Sequence, residues 1–179
     1  MDGFRTLYCD PGEDFGWALA TDFTLLARGI HKMWEFADII WDALLGGSAE
    51  LTVLNDPNSA FVYDGQEENP AWEQPIQRIV CEDFRVYPWK IQALKFDPVR
   101  TARVIGAITW FARHHNIDLV FQGANIKKAA VLAGAEEFYD FPLHENRHSN
   151  DAIQHFVYYT NAVMLGRPLP LSNEKEAFE

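Results

Sequence analysis

Four side chains that commonly bind metal ions stand at informative positions in the sequence. His148 and Asp151 are three residues apart where an apolar helical pattern begins, so a helix would place both on one face. Asp10 and Glu82 lie far upstream, and each closes an apolar run that is typical of a buried strand. Carboxylates and an imidazole that converge can bind a metal ion or orient a water molecule. The four residues therefore predict a site assembled from three elements.

Each of these residues also has a simple structural interpretation. Asp10 precedes a Pro-Gly pair and could initiate a turn. Glu82, followed by Asp83, could be the solvated end of a strand. His148 could cap a helix, and Asp151 could be a first-turn acid that the helix dipole favours. Taken one residue at a time, the sequence leaves both interpretations open.

Composition indicates a folded, single-domain protein. The chain has 179 residues, of which 48% are hydrophobic and 14% aromatic, and this excludes a disordered acidic chain. Its two cysteines, Cys9 and Cys81, lie in strand-like runs, which favours buried thiols in a reducing compartment over a disulfide. Because neither a secretion signal nor a membrane-spanning stretch is evident, we expect a soluble, cytoplasmic protein with no membrane partner.

Charge is unevenly distributed along the chain. The net charge of −11 argues against a broad basic surface for nucleic acid. Acidic residues without lysine or arginine occupy 47–76, whereas 85–103 carries five basic residues and one acid. A separate basic surface is therefore one interpretation, and scattered solvated charges are the other.

The first part of the sequence predicts a three-strand meander followed by a helix. Short apolar runs are separated by turn-forming residues, as in antiparallel strands. The predicted strands are Phe4 to Asp10, Gly16 to Ala20 and Phe23 to Ile30. Apolar residues then recur at helical spacing from Met33 to Leu44 and stop at a Gly-Gly pair, which predicts a helix with a glycine cap.

After the acidic stretch, strands and helices alternate, which favours a partly parallel sheet covered by helices. The predicted elements are a strand from Gln77 to Glu82, a helix from Asp97 to about His115, a strand from Ile117 to Gln122, a helix capped by Asn125, and a last helix from Ser149 or Asn150. The last helix is expected to bury Ile153, Phe156, Val157 and Val163.

The ordered combination of motifs resembles the RuvC-type Holliday junction resolvases. The motifs are Asp10-Pro-Gly, Gly16-Trp17-Ala18, the acid Glu82 at the end of the fourth strand, and His148-x-x-Asp151-Ala. The resemblance implies the α/β RNase H-like fold, with a five-stranded mixed sheet of an antiparallel meander plus parallel strands flanked by helices. It also implies a homodimeric, metal-dependent endonuclease. The compact, acidic chain would suit a bacteriophage member, acting in the cytoplasm of the host cell.

The resemblance also assigns roles to individual residues. It implies that Asp10, Glu82 and Asp151 are the catalytic acids and that His148 is the metal-site histidine. Lys127 is the closer match to the family's functional lysine, with Lys128 as the alternative.

The implied cofactor is Mg²⁺, with Mn²⁺ able to substitute. Two hard cations about 4 Å apart can activate water and stabilise the leaving 3′ oxygen of a phosphodiester. Asp10 is expected to bridge the two ions, Glu82 to bind one and Asp151 the other, while His148 ligates an ion or orients water. A nearby lysine would neutralise charge on the phosphate.

The segment after Glu82 is the predicted DNA-binding region. Its aromatic and basic side chains could stack on unpaired bases and hold phosphates, together with Lys127 and Lys128. These residues are Phe84, Arg85, Tyr87, Trp89 and Lys90. In the alternative interpretation, the aromatic residues pack in the core or in a dimer interface.

The expected partner is a four-way junction or another branched DNA, bound by a homodimer whose two-fold symmetry matches the junction. The helix from Asp97, which would expose Thr109, Trp110 and Arg113, is the predicted interface element. We expect one nuclease domain over 1–166, an acidic insertion at about 47–76 and a flexible tail over 167–179.

Two other functions stay open. The chain could be a different RNase H-like nuclease, such as a flap, branched-DNA or packaging enzyme. It could also be a non-catalytic DNA-binding protein of the same fold.

Overall fold

The computed structural model describes residues 4–12, 14–33, 75–83, 97–139, 143, 145 and 147–171. Its first three strands, β1 (Arg5–Asp10), β2 (Asp14–Thr21) and β3 (Thr24–Lys32), form the predicted antiparallel meander. The β2–β3 turn contains Asp22 in the left-handed conformation, with a φ of 44°. Its carboxylate accepts the backbone N–H of Phe4 at 3.0 Å, which ties the turn to the start of β1.

Two parallel strands complete the sheet. Strand β4 (Arg78–Asp83) pairs with β1, and β5 (Asp118–Gly123) pairs with β4. The strand order is β3-β2-β1-β4-β5. This arrangement confirms the predicted fold class, a five-stranded mixed sheet flanked by helices.

Within the described ranges, three helices lie beside the sheet. Helix α1 is Asp97–His114, α2 is Lys127–Leu132 and α3 is Arg147–Tyr158. One-turn 3₁₀ helices at Ala124–Ile126 and Ala135–Phe138 flank α2, and α3 continues into a π-helical turn at Tyr159–Met164.

Alternation along the strands divides the core into two clusters. Leu7 and Cys9 of β1 belong to the cluster that contains the buried face of α1. Tyr8, which lies between them, belongs to the cluster that contains α2 and α3. Since successive side chains of a strand point to opposite faces, Asp10 lies on the same face as Tyr8. The two cysteines are buried and free, as predicted.

The structure corrects three details of the predicted helices. Asn125 does not cap α2, because the chain turns into a 3₁₀ helix at Ala124 and Ile126 occupies the N-cap position. Helix α3 begins earlier than predicted, at Arg147. Val163 was predicted to be buried but is 55% exposed. The i to i+5 hydrogen bonding of the π-helical turn rotates the following residues, so Val163 no longer lies on the apolar face of the helix.

A glycine allows α3 to lie directly against β2. A Cβ atom at Gly16 would fall 2.0 Å from the backbone oxygen of His148 and 2.1 Å from its carbonyl carbon. No side chain fits this space, and backbone atoms cannot move aside as the end of a flexible side chain can. Gly16 also pairs with Asp10 across β1 and β2. The contact therefore sets the first turn of α3 beside the end of β1.

Several predictions fall outside the described residues. These are the helix over 33–44 beyond Met33, the acidic insertion before Pro75, and the segment 84–90. The domain boundaries stay predictions. Among the described residues, no helix is both long and apolar enough to cross a bilayer.

We expect Gly16→Ala to destabilise the fold, because the new methyl group must displace the backbone of α3. Overpacking of this kind costs about 3 kcal/mol. Gly106→Ala is the matched control, since a Cβ there meets nothing within 4 Å and alanine favours a helix by about 0.5–1 kcal/mol. Urea unfolding measures both changes. Equal stability of the two variants would contradict the close contact.

Candidate metal centre

The sheet places two carboxylates at one edge. Asp10 and Glu82 lie at the carboxyl ends of β1 and β4, which are parallel neighbours with Cys9 opposite Cys81. Tyr8 and Val80, two residues earlier in each strand, both face α3. Period-two alternation therefore brings both acids to the α3 face of the sheet.

Helix α3 adds the second half of the site. The ligand atoms of Asp10, His148 and Asp151 all lie within 4.8 Å of one another. Nδ1 of His148 is 2.6 Å from Oδ2 of Asp10. The Asp10 and Asp151 carboxylates are 10% and 13% exposed, whereas the imidazole is 37% exposed. The convergence predicted from the i, i+3 spacing is present.

Lys127 lies between Glu82 and Asp151. Its Nζ lies 2.7 Å from Oδ2 of Asp151 and 3.0 Å from Oε2 of Glu82. The Lys127 ammonium therefore links Glu82 to the group on α3, although Glu82 does not belong to that group of three ligands. Lys128, the next residue of α2, has an exposed side chain.

Two buried residues that sequence reasoning did not assign to the site support Glu82. Nε2 of His155 lies 3.1 Å from Oε2 of Glu82, and its Nδ1 lies 2.9 Å from Oε1 of Gln122. His155 follows Asp151 by four residues on the same helix, which places both on one face. The i, i+4 spacing was the sequence signal that His155 lies near the site. A histidine in an apolar helix is equally compatible with a core residue that has no role in a site.

Asp10 and His148 form one electrostatic pair. Burial raises the pKa of Asp10, and the hydrogen bond to His148 opposes part of that rise. The same hydrogen bond raises the pKa of His148 above its usual value, against the effect of burial. Nδ1 of His148 and Oδ2 of Asp10 can therefore share one proton over the pH range in which a free imidazole loses its own proton.

Glu82 and Lys127 form a second, fully charged pair. Burial acts to raise the pKa of Glu82, but the hydrogen bond from His155 and the charge of Lys127 together lower it to about 2. Burial acts to lower the pKa of Lys127. The negative charges of Glu82, Asp10 and Asp151 have a larger, opposite effect, so the pKa is raised. Glu82 therefore remains ionised at any physiological pH.

This donor set fits a hard divalent cation. Carboxylate oxygens from Asp10, Asp151 and Glu82 are the ligands that Mg²⁺ and Mn²⁺ prefer, and His148 adds a nitrogen donor. Lys127 contacts Glu82 and Asp151 and His148 contacts Asp10, so three carboxylates with one lysine leave a net negative charge that a bound cation would balance. Among the described residues, this is the group of acids and histidines that can hold a metal ion.

The structure brings five of the predicted site residues together: Asp10, Glu82, Lys127, His148 and Asp151. The other predicted DNA-binding residues, Phe84, Arg85, Tyr87, Trp89 and Lys90, lie outside the described residues.

Comparison with known proteins gives a structural match only. No protein-family model and no curated protein matches the sequence. The structure is similar to T. thermophilus RuvC in complex with a Holliday junction substrate, with a TM-score of 0.51 and 16% sequence identity. The alignment covers 94% of this chain and 99% of that one. The likeness shows a shared RNase H-like fold, and it does not point to a bacteriophage source.

We expect Lys127→Met to destabilise the metal-free protein by about 2 kcal/mol at pH 7, because Glu82 and Asp151 lose their shared cation. The lowered pKa of Glu82 means that its ionised form stabilises the fold above pH 4.5, and this stabilisation is lost as pH falls toward 2. Since Lys127 supplies part of it, the stability difference between wild type and variant should shrink between pH 7 and pH 3.

Urea unfolding in the presence of a chelator measures this difference. Lys128→Met is the control, because its side chain is exposed, and it should change stability by less than about 0.5 kcal/mol at either pH. A loss of stability in Lys127→Met that is independent of pH would contradict the assigned ion pairs.

Proposed function

We propose that this protein is a metal-dependent DNA endonuclease that resolves Holliday junctions or other branched DNA by phosphodiester hydrolysis. One observation carries the proposal: Asp10, Asp151 and His148 converge at the edge of an RNase H-like sheet, with Glu82 joined to them through Lys127. The structural similarity to a RuvC that is bound to a Holliday junction supports branched DNA as the substrate.

The proposed cofactor is two Mg²⁺ ions per site, which Mn²⁺ can replace. Asp10, which ends the central strand β1, would hold the ions together with Glu82 and Asp151. When bound, the ions would supply hydroxide at neutral pH and stabilise charge on the leaving 3′ oxygen.

The side chains have distinct proposed tasks. Glu82 presents a permanent negative charge, because its pKa is held at about 2. Lys127 carries the positive charge nearest the acids and can neutralise a phosphate oxygen. His148 can act as a ligand or orient the attacking water, and its hydrogen bond to Asp10 fixes the ring beside the site in either role.

The proposed DNA contacts continue from the site along the chain. Strand β4 ends at Asp83, directly after Glu82, and the segment from Phe84 to Lys90 follows it in the sequence. Its aromatic and basic residues are suited to stacking on splayed bases and to holding phosphates. Lys128, exposed on α2 beside Lys127, is a further proposed phosphate contact.

A homodimer is the proposed assembly. The outward face of α1 carries the small residues Gly106 and Ala107 beside one large aromatic side chain, Trp110, which is 64% exposed. From Thr101 to His114, the exposed residues are Ala102, Arg103, Gly106, Ala107, Trp110, Arg113 and His114. Two copies of this face could pack closely around the tryptophan, and a two-fold dimer would present two sites to a four-way junction.

Asp10→Asn and Asp151→Asn are each expected to lower cleavage on the order of a thousandfold while junction binding persists, because the amide removes a charged metal ligand. Asp118→Asn is the matched control, since this exposed acid lies at the opposite end of the sheet and pairs with Arg78. The assay is a panel of four-way junction, fork, flap, duplex and RNA–DNA substrates with Mg²⁺ and with Mn²⁺.

Preference for the junction would support a resolvase, and preference for a flap or fork would indicate another nuclease of this fold. Failure of the unmutated protein to cut any substrate with either ion would contradict the proposed nuclease and favour a non-catalytic DNA-binding protein.

Trp110→Arg is expected to shift the protein from dimer to monomer at micromolar concentration, because the substitution places a charge at the centre of the proposed interface. Phe23→Arg is the control, since Phe23 is 53% exposed in the β2–β3 turn, away from α1. Sedimentation velocity measures both variants. A wild-type monomer that still makes symmetric cuts would refute the dimer.

A further inference from the structure

We propose that His155 is a positioning residue, which holds the Glu82 carboxylate in place for a metal ion while Gln122 fixes the orientation of its imidazole. This proposal rests on the proposed function, since that function assigns Glu82 to a metal ion. The three side chains, from β4, β5 and α3, form a chain of hydrogen bonds behind the site.

The three side chains lie at one level of the sheet. Glu82 and Gln122 are directly paired on the parallel strands β4 and β5. His155, which is fully buried, crosses over both from α3, with Nε2 3.1 Å from Oε2 of Glu82 and Nδ1 2.9 Å from Oε1 of Gln122. Both ring nitrogens are therefore engaged, and the ring cannot turn without breaking a buried hydrogen bond.

The chemistry of the partners fixes which atom donates. An ionised carboxylate only accepts hydrogen bonds, so Nε2 of His155 must carry the proton that faces Glu82. A charged ring also donates from Nδ1 to the amide oxygen of Gln122. A neutral ring accepts from the amide nitrogen of Gln122 after a half-turn of the amide, and that buried nitrogen has no other partner among the described residues. In both cases His155 donates to Glu82.

The contacts leave one carboxylate oxygen for a ligand. His155 and Lys127 both contact Oε2 of Glu82, and neither of these two contacts uses Oε1. Lys127 has a flexible side chain that is 29% exposed, so it can turn toward a phosphate or give way to a cation. His155 is enclosed by the core and stays. It is the partner that keeps Glu82 in position when Lys127 moves.

Glu82 needs this support more than the other acids do. Its side chain has one more rotatable bond than aspartate, and its carboxylate lies outside the group formed by Asp10, His148 and Asp151. A ligand that must reach toward that group from the neighbouring strand binds well only if it is held in advance.

The test compares two substitutions at the same position. His155→Gln keeps an N–H donor that can reach Glu82, whereas His155→Leu fills similar volume without a donor. Calorimetry of Mn²⁺ binding to the full chain without DNA is the readout, and circular dichroism checks folding. We expect His155→Leu to weaken Mn²⁺ binding about tenfold and His155→Gln to stay within about threefold of the unmutated protein.

The effect must pass through Glu82. In a Glu82→Gln background, His155→Leu should cause no further loss of Mn²⁺ affinity, because the positioned ligand is already gone. Unchanged Mn²⁺ binding by folded His155→Leu, or an equal loss in the Glu82→Gln background, would overturn the proposal.

A milder variant covers the case in which His155→Leu does not fold. Gln122→Met keeps the volume of the buried side chain but removes the partner of Nδ1, and it should weaken Mn²⁺ binding about threefold, only when Glu82 is present. Unchanged binding would overturn the proposal. These measurements use the metal alone, so Mn²⁺ binding that depends on His155 without any DNA cleavage would refute the nuclease and support the positioning role.

Discussion

The close contact between α3 and β2 at Gly16 is the constraint on which the site depends. Helix α3 carries His148, Asp151 and His155 on one face, at spacings of three and four residues. These side chains reach the ends of β1 and β4 only because the helix backbone lies where a side chain at Gly16 would be. Gly16 is thus a packing requirement of the candidate metal centre, and its role is geometric rather than chemical.

Charge imbalance is the second constraint, and it explains how an acidic chain can build this pocket. Two buried carboxylates, Asp10 and Asp151, and the half-buried Glu82 repel one another, and the metal-free fold tolerates them because Lys127, His148 and His155 each contact at least one. The environment separates the acids, since burial raises the pKa of Asp10 whereas cationic and donor partners lower that of Glu82. Such a group of acids around one lysine could hold a metal ion.

The sequence predicted the fold and much of the site, and the failures have physical reasons. The apolar runs were enough to place Asp10 and Glu82 at the ends of two strands, because that position is local to each strand. The choice between Lys127 and Lys128 was not local, since it depends on the rotation of α2 after a 3₁₀ turn. His155 was missed because its contact with the site is made through Glu82, which lies 73 residues away in the chain.

The proposed function depends on whether Asp10, Asp151, His148 and Glu82 bind a divalent cation. The most direct measurement is a crystal structure of the protein soaked in Mn²⁺, with anomalous difference density collected at the manganese edge. We expect anomalous peaks between Asp10 and Asp151 and beside Glu82, with Lys127 turned away from at least one carboxylate. Lys127 still bridging Glu82 and Asp151, with no manganese at these side chains, would contradict it.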